Sequence, residues 1–320
     1  MSILSVSRRT DIPTFFSEWF LNRLEEGRVM VRNPYNQQIS DIQLLRSVID
    51  CIVFWTKNPI PMLNQMDRLK NYPYYFQMTL TGYGKDLEAN LPNKERLISA
   101  FRELYEKGNG NIIWRYDPIV FTPKYTSEWH LKTFERIATE LKGYTEKCVI
   151  SFVDMPMSVK KNMFGIPIVG MANKVQLADF CKRLAEIAGK NGMTVSTCAE
   201  VVNLEECGIE HNRCIDPDYI EKITGFPLKV SKDKGQRKEC GCVESVEVGS
   251  YSTCGNGCKY CYACHSKEMV KENLRNYDPN SPLLCDSVHE DDVIKIRHLE
   301  TMRKKEIIKT EENFEQLSLF

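Results

Sequence analysis

The feature that most constrains this chain is a regular alternation of short β-rich runs with amphipathic helical segments. Strand character recurs at Ile3–Ser7, Arg28–Arg32, Cys51–Thr56, Tyr74–Thr81, Asn111–Tyr116, Cys148–Val153 and Thr194–Thr197. Helical periodicity marks Phe15–Glu26, Lys94–Lys107, Glu128–Lys142 and Lys174–Lys190. In the second of these, Leu97, Ile98, Phe101 and Leu104 stand three or four apart and make one apolar face. Parallel strands need a crossover long enough to hold a helix, so the alternation predicts parallel βαβ units. Seven such runs before residue 200 suffice for a nearly complete β/α barrel, with a doubly wound sheet as the alternative. Nothing rich in Gly, Pro or Ser divides this region.

In a parallel barrel every strand ends on the same face, where active sites sit. The strand ends here are chemically busy: Ser7-Arg8-Arg9-Thr10-Asp11, Thr56-Lys57-Asn58, Thr79 to Gly84, Arg115-Tyr116-Asp117, Asp154 and Cys198-Ala199-Glu200. Taken singly, each polar residue is equally well read as a helix cap or a loop residue. Two adjacent arginines followed by Asp11, and the apolar-flanked Arg115 and Asp117, resist that reading. From residue 200 the pattern changes. Residues 203–246 form a polar, cysteine-containing insertion after the 1–202 barrel region, and 247–290 hold a last strand, a cysteine loop and a helix. A charged helix over Asp291–Lys309 and a tail complete 291–320. The basic stretch Lys229 to Lys238 reads as a solvated loop, and the five histidines show no ligand spacing and suit surface or capping roles.

Thirteen cysteines are an odd number, and nine of them fall between Cys198 and Cys264. No apolar run approaches the ~18 residues of a membrane span, and no signal-peptide core follows Met1, so a reducing cytoplasm is expected. Disulfides are then a poor explanation and metal binding a better one. Lys+Arg and Asp+Glu number 43 each, so broad electrostatic attraction to nucleic acid is not expected, and any such contact must be local.

The sequence Val246–Tyr251 predicts a final strand running directly into Cys254-x3-Cys258-x2-Cys261, with Tyr260 before the third cysteine. Three thiolates on one tight loop can hold three irons of a [4Fe–4S] cluster and leave the fourth open to a small molecule. Gly255 and Gly257 give the loop the freedom to wrap. A zinc site more often shows paired C-x2-C knuckles.

This motif resembles that of the radical S-adenosylmethionine (SAM) enzymes, in particular the spore photoproduct lyase branch. Over nearly its full length the chain resembles a family of bacterial proteins known as DUF1848, through Ser7–Pro13, Phe54–Pro59, Trp114–Pro118, Ser196–Glu200, Lys232–Arg237 and Cys240–Cys242. The resemblance implies an α/β fold of the radical SAM barrel type, circularly permuted, because the cluster loop follows the last strand rather than the first. It implies a [4Fe–4S] cluster on Cys254, Cys258 and Cys261, SAM as cofactor, and a flavodoxin or ferredoxin as electron donor. SAM would be met by Arg8, Arg9, Asp11, Thr56, Glu200 and Tyr260, with Lys57, Arg115 and Asp117 as catalytic candidates. It also implies a second Fe–S cluster or zinc at Cys198, Cys214, Cys240 and Cys242, against the alternative of free buried thiols. Substrate is open, with nucleic-acid repair or modification the specific expectation. Two rival classes stand beside this one. One is a non-catalytic Fe–S electron-transfer or redox-sensing protein whose fourth iron is capped by Cys264 or His265; the other is a zinc-stabilised binding protein.

The last five residues, Gln316-Leu317-Ser318-Leu319-Phe320, match the short peptide by which bacterial repair proteins dock on the DNA sliding clamp. An apolar tail packed on the barrel is the alternative.

Overall fold

The computed structural model describes residues 2–171 and 173–304. Its strands, in chain order, are β1 (Ile3–Val6), β2 (Arg28–Arg32), β3 (Ile39–Gln43), β4 (Cys51–Thr56), β5 (Tyr74–Thr79), β6 (Ile112–Ile119), β7 (Lys147–Phe152), β8 (Thr194–Thr197), β9 (Glu210–His211), β10 (Val246–Glu247) and β11 (Ile294–Arg297). Eight of them form one sheet in the order β10-β1-β4-β5-β6-β7-β8-β9. Every neighbouring pair in it is parallel. This is the expected α/β architecture. Among the described residues no ladder joins β9 to β10, each only two residues long, so the sheet has two edges.

The helices Lys94–Lys107 and Lys174–Lys190 occupy the residues their periodicity marks. Each begins on an asparagine cap, Asn93 receiving the Arg96 amide and Asn173 that of Gln176. The helix expected over Phe15–Glu26 is broken at Phe16 into Ile12–Phe15 and Ser17–Glu26.

Side chains alternate across the sheet as the pleat requires. Leu4 and Val6, Ile52 and Phe54, Phe76 and Met78, Trp114 and Tyr116 face the helices and join the main core. Ile3, Cys51, Val53, Tyr75, Ile113 and Val149 face the other way and form a second core. The insertion covers that second face, where Cys214, Ile215, Ile220, Leu228 and Val243 pack on these residues.

Two expectations are corrected. Arg28–Arg32 is a strand, but it pairs antiparallel with β3 in a separate sheet ordered β11-β3-β2. Its Val29, Met30 and Val31 look like a central strand's apolar run; partner choice is not encoded in that pattern. The charged stretch expected as a helix from Asp291 instead holds β11, laid parallel on β3 with Ile294 opposite Ile39. Arg32 fixes it there, its Nε donating to Asp286 at 2.6 Å and its Nη1 and Nη2 to Asp292. A third correction concerns His130, which is fully buried rather than superficial. It bonds the Tyr116 hydroxyl at 2.9 Å and the Val120 carbonyl oxygen at 3.1 Å, and burial lowers its pKa to about 4.

Among the described residues no helix is long and apolar enough to cross a membrane. The expected docking peptide Gln316–Phe320 lies outside the described residues.

Candidate functional site

Along four inward-facing rows of the sheet the apolar residue comes first and a polar one follows two positions later: Ile3 then Ser5, Tyr75 then Gln77, Ile113 then Arg115, Val149 then Ser151; the β4 row, Cys51, Val53 and Trp55, stays apolar. Beyond this floor, at the C-terminal ends of the strands, lies a cavity of about 410 Å³. Its wall includes every site residue expected from the sequence. Arg8, Arg9 and Asp11 come from the end of β1, and Thr56 and Lys57 from β4. Arg115 and Asp117 come from β6, and Cys198 and Glu200 follow β8. Cys214, Cys240 and Cys242 come from the insertion; Cys254, Cys258, Tyr260 and Cys261 from the loop after β10.

The strand expected to be final over Val246–Tyr251 is the two-residue β10, followed later in the chain by β11; β10 sits beside β1, with Leu4 opposite Val246 and Ser5 opposite Glu247. Glu247 takes the hydroxyls of Ser5 and Ser7, the Arg8 amide at 2.9 Å and the Arg8 Nε at 3.1 Å. Burial works against the Arg8 charge, but Glu247 outweighs it and raises the pKa. Among the described residues Arg8 Nη1 and Thr10 Oγ1 remain buried without a partner. Arg9 lies over the Tyr251 ring at 5.1 Å.

Asp11 and Thr56 line the cavity, yet their polar atoms already serve the scaffold. Asp11 caps Ile12–Phe15 through the Thr14 amide at 3.1 Å, and takes the Lys57 amide at 2.8 Å and Asn256 Nδ2 at 2.9 Å. It ties the ends of β1 and β4 to the cysteine loop, and burial raises its pKa. Thr56 Oγ1 accepts the Asn58 amide at 3.0 Å. Glu200 accepts the Phe152 amide at 2.7 Å and is pushed up by burial and by Asp154 and Asp117.

Sequence reasoning missed Glu88, which is 1% exposed. It accepts Lys57 Nζ at 3.0 Å and Thr81 Oγ1 at 2.8 Å, as well as Lys94 Nζ and the Tyr260 hydroxyl. Burial pushes its carboxyl up, but Lys57 and Lys94 prevail and hold it down to about 2. Its backbone forms a bridge with Cys258, and the Lys259 amide donates to the Leu87 carbonyl oxygen at 2.9 Å. Asn90 clamps the loop from the same side, Nδ2 to Gly255 O at 2.8 Å. Gly257 sits at φ +67°, and an added Cβ would come within 3.0 Å of Asn90 Nδ2. No local motif flags Glu88; its partners converge only in the fold.

Two groups of thiols open on the cavity. Cys254, Cys258 and Cys261 line one side, and the Cys264 thiol donates to the Cys254 carbonyl oxygen at 3.6 Å. Across from them Cys198 and Cys214 stand 3.4 Å apart, sulfur to sulfur, with Cys240 and Cys242 in the same wall. N–H donors address these sulfurs: Arg115 Nη1 and Asn212 Nδ2 reach Cys214 at 2.9 and 3.2 Å, and the Ile215 amide reaches Cys242 at 3.4 Å. Arg115 also holds Asp117 through Nε at 3.1 Å and Nη2 at 2.5 Å. Among the described residues no three His, Cys, Asp or Glu side chains converge on one ion position.

A family model described as Domain of unknown function (DUF1848) matches residues 3–263. The chain belongs to the DUF1848 family. The DUF1848 match begins at β1, crosses the whole parallel sheet and ends at Ala263, so it takes in all seven cysteines that line the cavity. No curated protein matches the chain.

Proposed function

We propose that this DUF1848 protein is a [4Fe–4S]-dependent radical SAM enzyme on a permuted, open β/α barrel. The observation that carries the reading is the meeting, in one cavity, of the Cys254-x3-Cys258-x2-Cys261 loop with the C-terminal ends of parallel strands, where Arg8 Nη1 and Thr10 Oγ1 lack partners among the described residues. A buried donor without an acceptor is costly, so these two atoms fit an anionic or polar ligand such as the methionine carboxylate of SAM. The pairing of β10 with β1 supports the permuted order: the neighbour expected after a cluster strand is the strand at the start of the chain.

In this reading Cys254, Cys258 and Cys261 hold the cluster, and Arg8 with Arg9 orients the cofactor's carboxylate. When bound, the pair would supply one-electron cleavage of the sulfonium, giving a 5′-deoxyadenosyl radical that abstracts hydrogen from substrate. Lys57, held by Glu88 and Tyr260, presents an ammonium beside the loop. Arg115 and Asp117 form a neutralised pair between the two thiol groups and face the substrate volume. The set Cys198, Cys214, Cys240 and Cys242 would hold a second Fe–S cluster or zinc, the N–H donors favouring thiolates there. Flavodoxin or ferredoxin would supply the electron. The substrate class carried with this reading is nucleic acid, contacted locally.

The test is anaerobic purification, iron and sulfide reconstitution, reduction, and addition of SAM. Formation of 5′-deoxyadenosine, lost in Cys254→Ala, Cys258→Ala and Cys261→Ala, is expected. Cleavage that survives all three substitutions overturns the loop's role. Colourless protein with stoichiometric zinc overturns the iron–sulfur reading. Iron without cleavage points to the second reading, an electron-transfer or redox-sensing Fe–S protein. That reading is favoured by one observation, the approach of the Cys264 thiol to the Cys254 carbonyl oxygen at 3.6 Å.

A further inference from the structure

We infer that Cys198 and Cys214 are a redox-active dithiol, closed to a disulfide by a hydroperoxide that enters the cavity. The closure does not rest on the enzyme reading above; only its consequence for the second metal set does.

Both cysteines line the cavity, and their sulfurs approach to 3.4 Å. A disulfide bond is about 2.05 Å long, so about 1.4 Å of approach separates the pair from closure. The main chain sets this position. β8 and β9 run parallel, with Ser196 opposite Glu210 and Thr197 opposite His211, and the Asn212 amide carries the ladder on to Thr197 O at 2.8 Å. Just beyond, the Cys198 amide donates to Ile150 O of β7 at 2.8 Å. The Cys214 carbonyl oxygen accepts the Tyr75 hydroxyl at 2.6 Å and Gln77 Nε2 at 2.7 Å, both from β5. Each cysteine is thus tied to the sheet by its backbone, and the two sulfurs are brought together by those ties. Arg115 Nη1 and Asn212 Nδ2 donate to the Cys214 sulfur at 2.9 and 3.2 Å. Such donors, one of them a guanidinium, favour the anionic sulfur that attacks. Cys214 is therefore the nucleophile and Cys198, beside it, the resolving thiol.

The chemistry balances with hydrogen peroxide as the oxidant. The Cys214 sulfur takes one peroxide oxygen as the O–O bond breaks, and the other oxygen leaves as water with the proton that Cys214 gives up. The Cys198 sulfur then attacks the sulfenic sulfur. The S–S bond forms, the S–O bond breaks, and the hydroxyl leaves as a second water with the Cys198 proton. Two electrons pass from the two sulfurs to the peroxide. Closure withdraws two of the four thiols proposed for the second metal set, and Cys240 with Cys242 does not complete that set alone. It also takes the anionic sulfur from Arg115, which keeps Asp117 and Gln77 Oε1 as partners, each at 3.1 Å. The wall facing the proposed substrate volume therefore carries its own oxidation site.

The experiment uses full-length protein stripped of metal by a chelator under reducing conditions, desalted without oxygen and treated with a small excess of hydrogen peroxide. Free thiols are alkylated, and the digest is read by mass spectrometry before and after dithiothreitol. The expected product is a linked Cys198–Cys214 peptide pair, two hydrogens lighter than its parts and released by dithiothreitol. In Cys198→Ser the resolving thiol is gone, so dimedone trapping of sulfenic acid at Cys214 should rise several-fold over wild type. Cys240→Ser should leave the link in place. A wild type in which Cys198 and Cys214 both stay alkylatable, or in which Cys214 links to Cys240 or Cys242 instead, overturns the inference, and that map needs no variant to fold. Equal dimedone labelling in wild type and Cys198→Ser overturns it too. Reconstitution of the reduced protein with iron and sulfide, followed by SAM, keeps the two readings apart. Open thiols with 5′-deoxyadenosine formed defeat the dithiol alone; a closed pair without 5′-deoxyadenosine defeats the enzyme reading alone.

Discussion

Replacing Glu88 by Gln removes one buried charge while keeping the side chain's shape, and its cost can be worked from the structure. Glu88 is the common partner of Lys57 and Lys94 and the acceptor for Thr81 and Tyr260. The carboxyl falls from an ordinary value near 4.5 to about 2. At about 1.4 kcal/mol per pH unit this corresponds to about 3 kcal/mol of stability at neutral pH. A second route agrees: breaking a buried pair by deleting one partner typically costs about 3–5 kcal/mol, because the other charge is left uncompensated. In a chain this long about 3 kcal/mol lowers the melting temperature by roughly 6 °C. The folded value lies below the unfolded one, so the stabilisation is complete above about pH 4.5 and drains away as pH falls toward 2. At pH 4 about 2.6 of the roughly 3.4 kcal/mol remains. Urea unfolding of wild type and Glu88→Gln, followed by tryptophan fluorescence at pH 7 and pH 4, reads both numbers. A difference under about 1 kcal/mol at pH 7, or one equal at the two pH values, refutes the reasoning.

Gly249, at φ +152°, would place an added Cβ 2.3 Å from Ser7 Oγ. Gly249→Ala should cost about 3 kcal/mol from backbone strain and overpacking together, measured by thermal melting; a loss under 1 °C removes that account. Asp50 is fully buried and accepts Ser2 Oγ, Thr301 Oγ1 at 2.7 Å, the Met302 amide at 2.5 Å and Arg303 Nε at 3.1 Å. Asp50→Ala should therefore cost about 3 kcal/mol and speed hydrogen exchange at 301–303, and unchanged exchange there would contradict the tie. Arg8→Gln should weaken SAM binding about tenfold or more, read by equilibrium dialysis, with iron content unchanged; equal affinity removes Arg8 from the cofactor's carboxylate.

Local pattern made some of this fold legible before any coordinates. The three- and four-residue spacing of Leu97, Ile98, Phe101 and Leu104 marked a helix that buries all four. The polar strand ends from Ser7 to Glu200 were legible as one surface because parallel strands leave no other arrangement. What escaped the reading depends on long-range choice. Arg28–Arg32 has the same apolar run as a central strand, and only its pairing with β3 sets it apart. Charged Ile294–Arg297 is drawn into a ladder by Arg32, which lies about 260 residues earlier in the chain. Glu88 has no motif because a buried charge is recognised by its partners, and Tyr260 stands 172 residues away.

The cavity's composition follows from its floor. Ile3, Val53, Tyr75, Ile113 and Val149, packed against Ile215 and Ile220, make an apolar floor beneath the polar ring. Charges placed just above such a floor must neutralise one another: Arg8 with Glu247, Lys57 with Glu88, Arg115 with Asp117. The surplus sits at the end of β1, where Arg8 Nη1 has no acceptor and Arg9 has an aromatic face but no carboxylate among the described residues. On the proposed reading this corner takes the ligand's one negative group, delivered at the junction of β1 with β10. That junction is also where the cysteine loop begins. The anion site and the thiol loop are therefore held by the same pairing of β1 with β10, and Gly249→Ala, which wedges that pairing apart, should weaken SAM binding and iron retention together. Loss of one without the other would separate them.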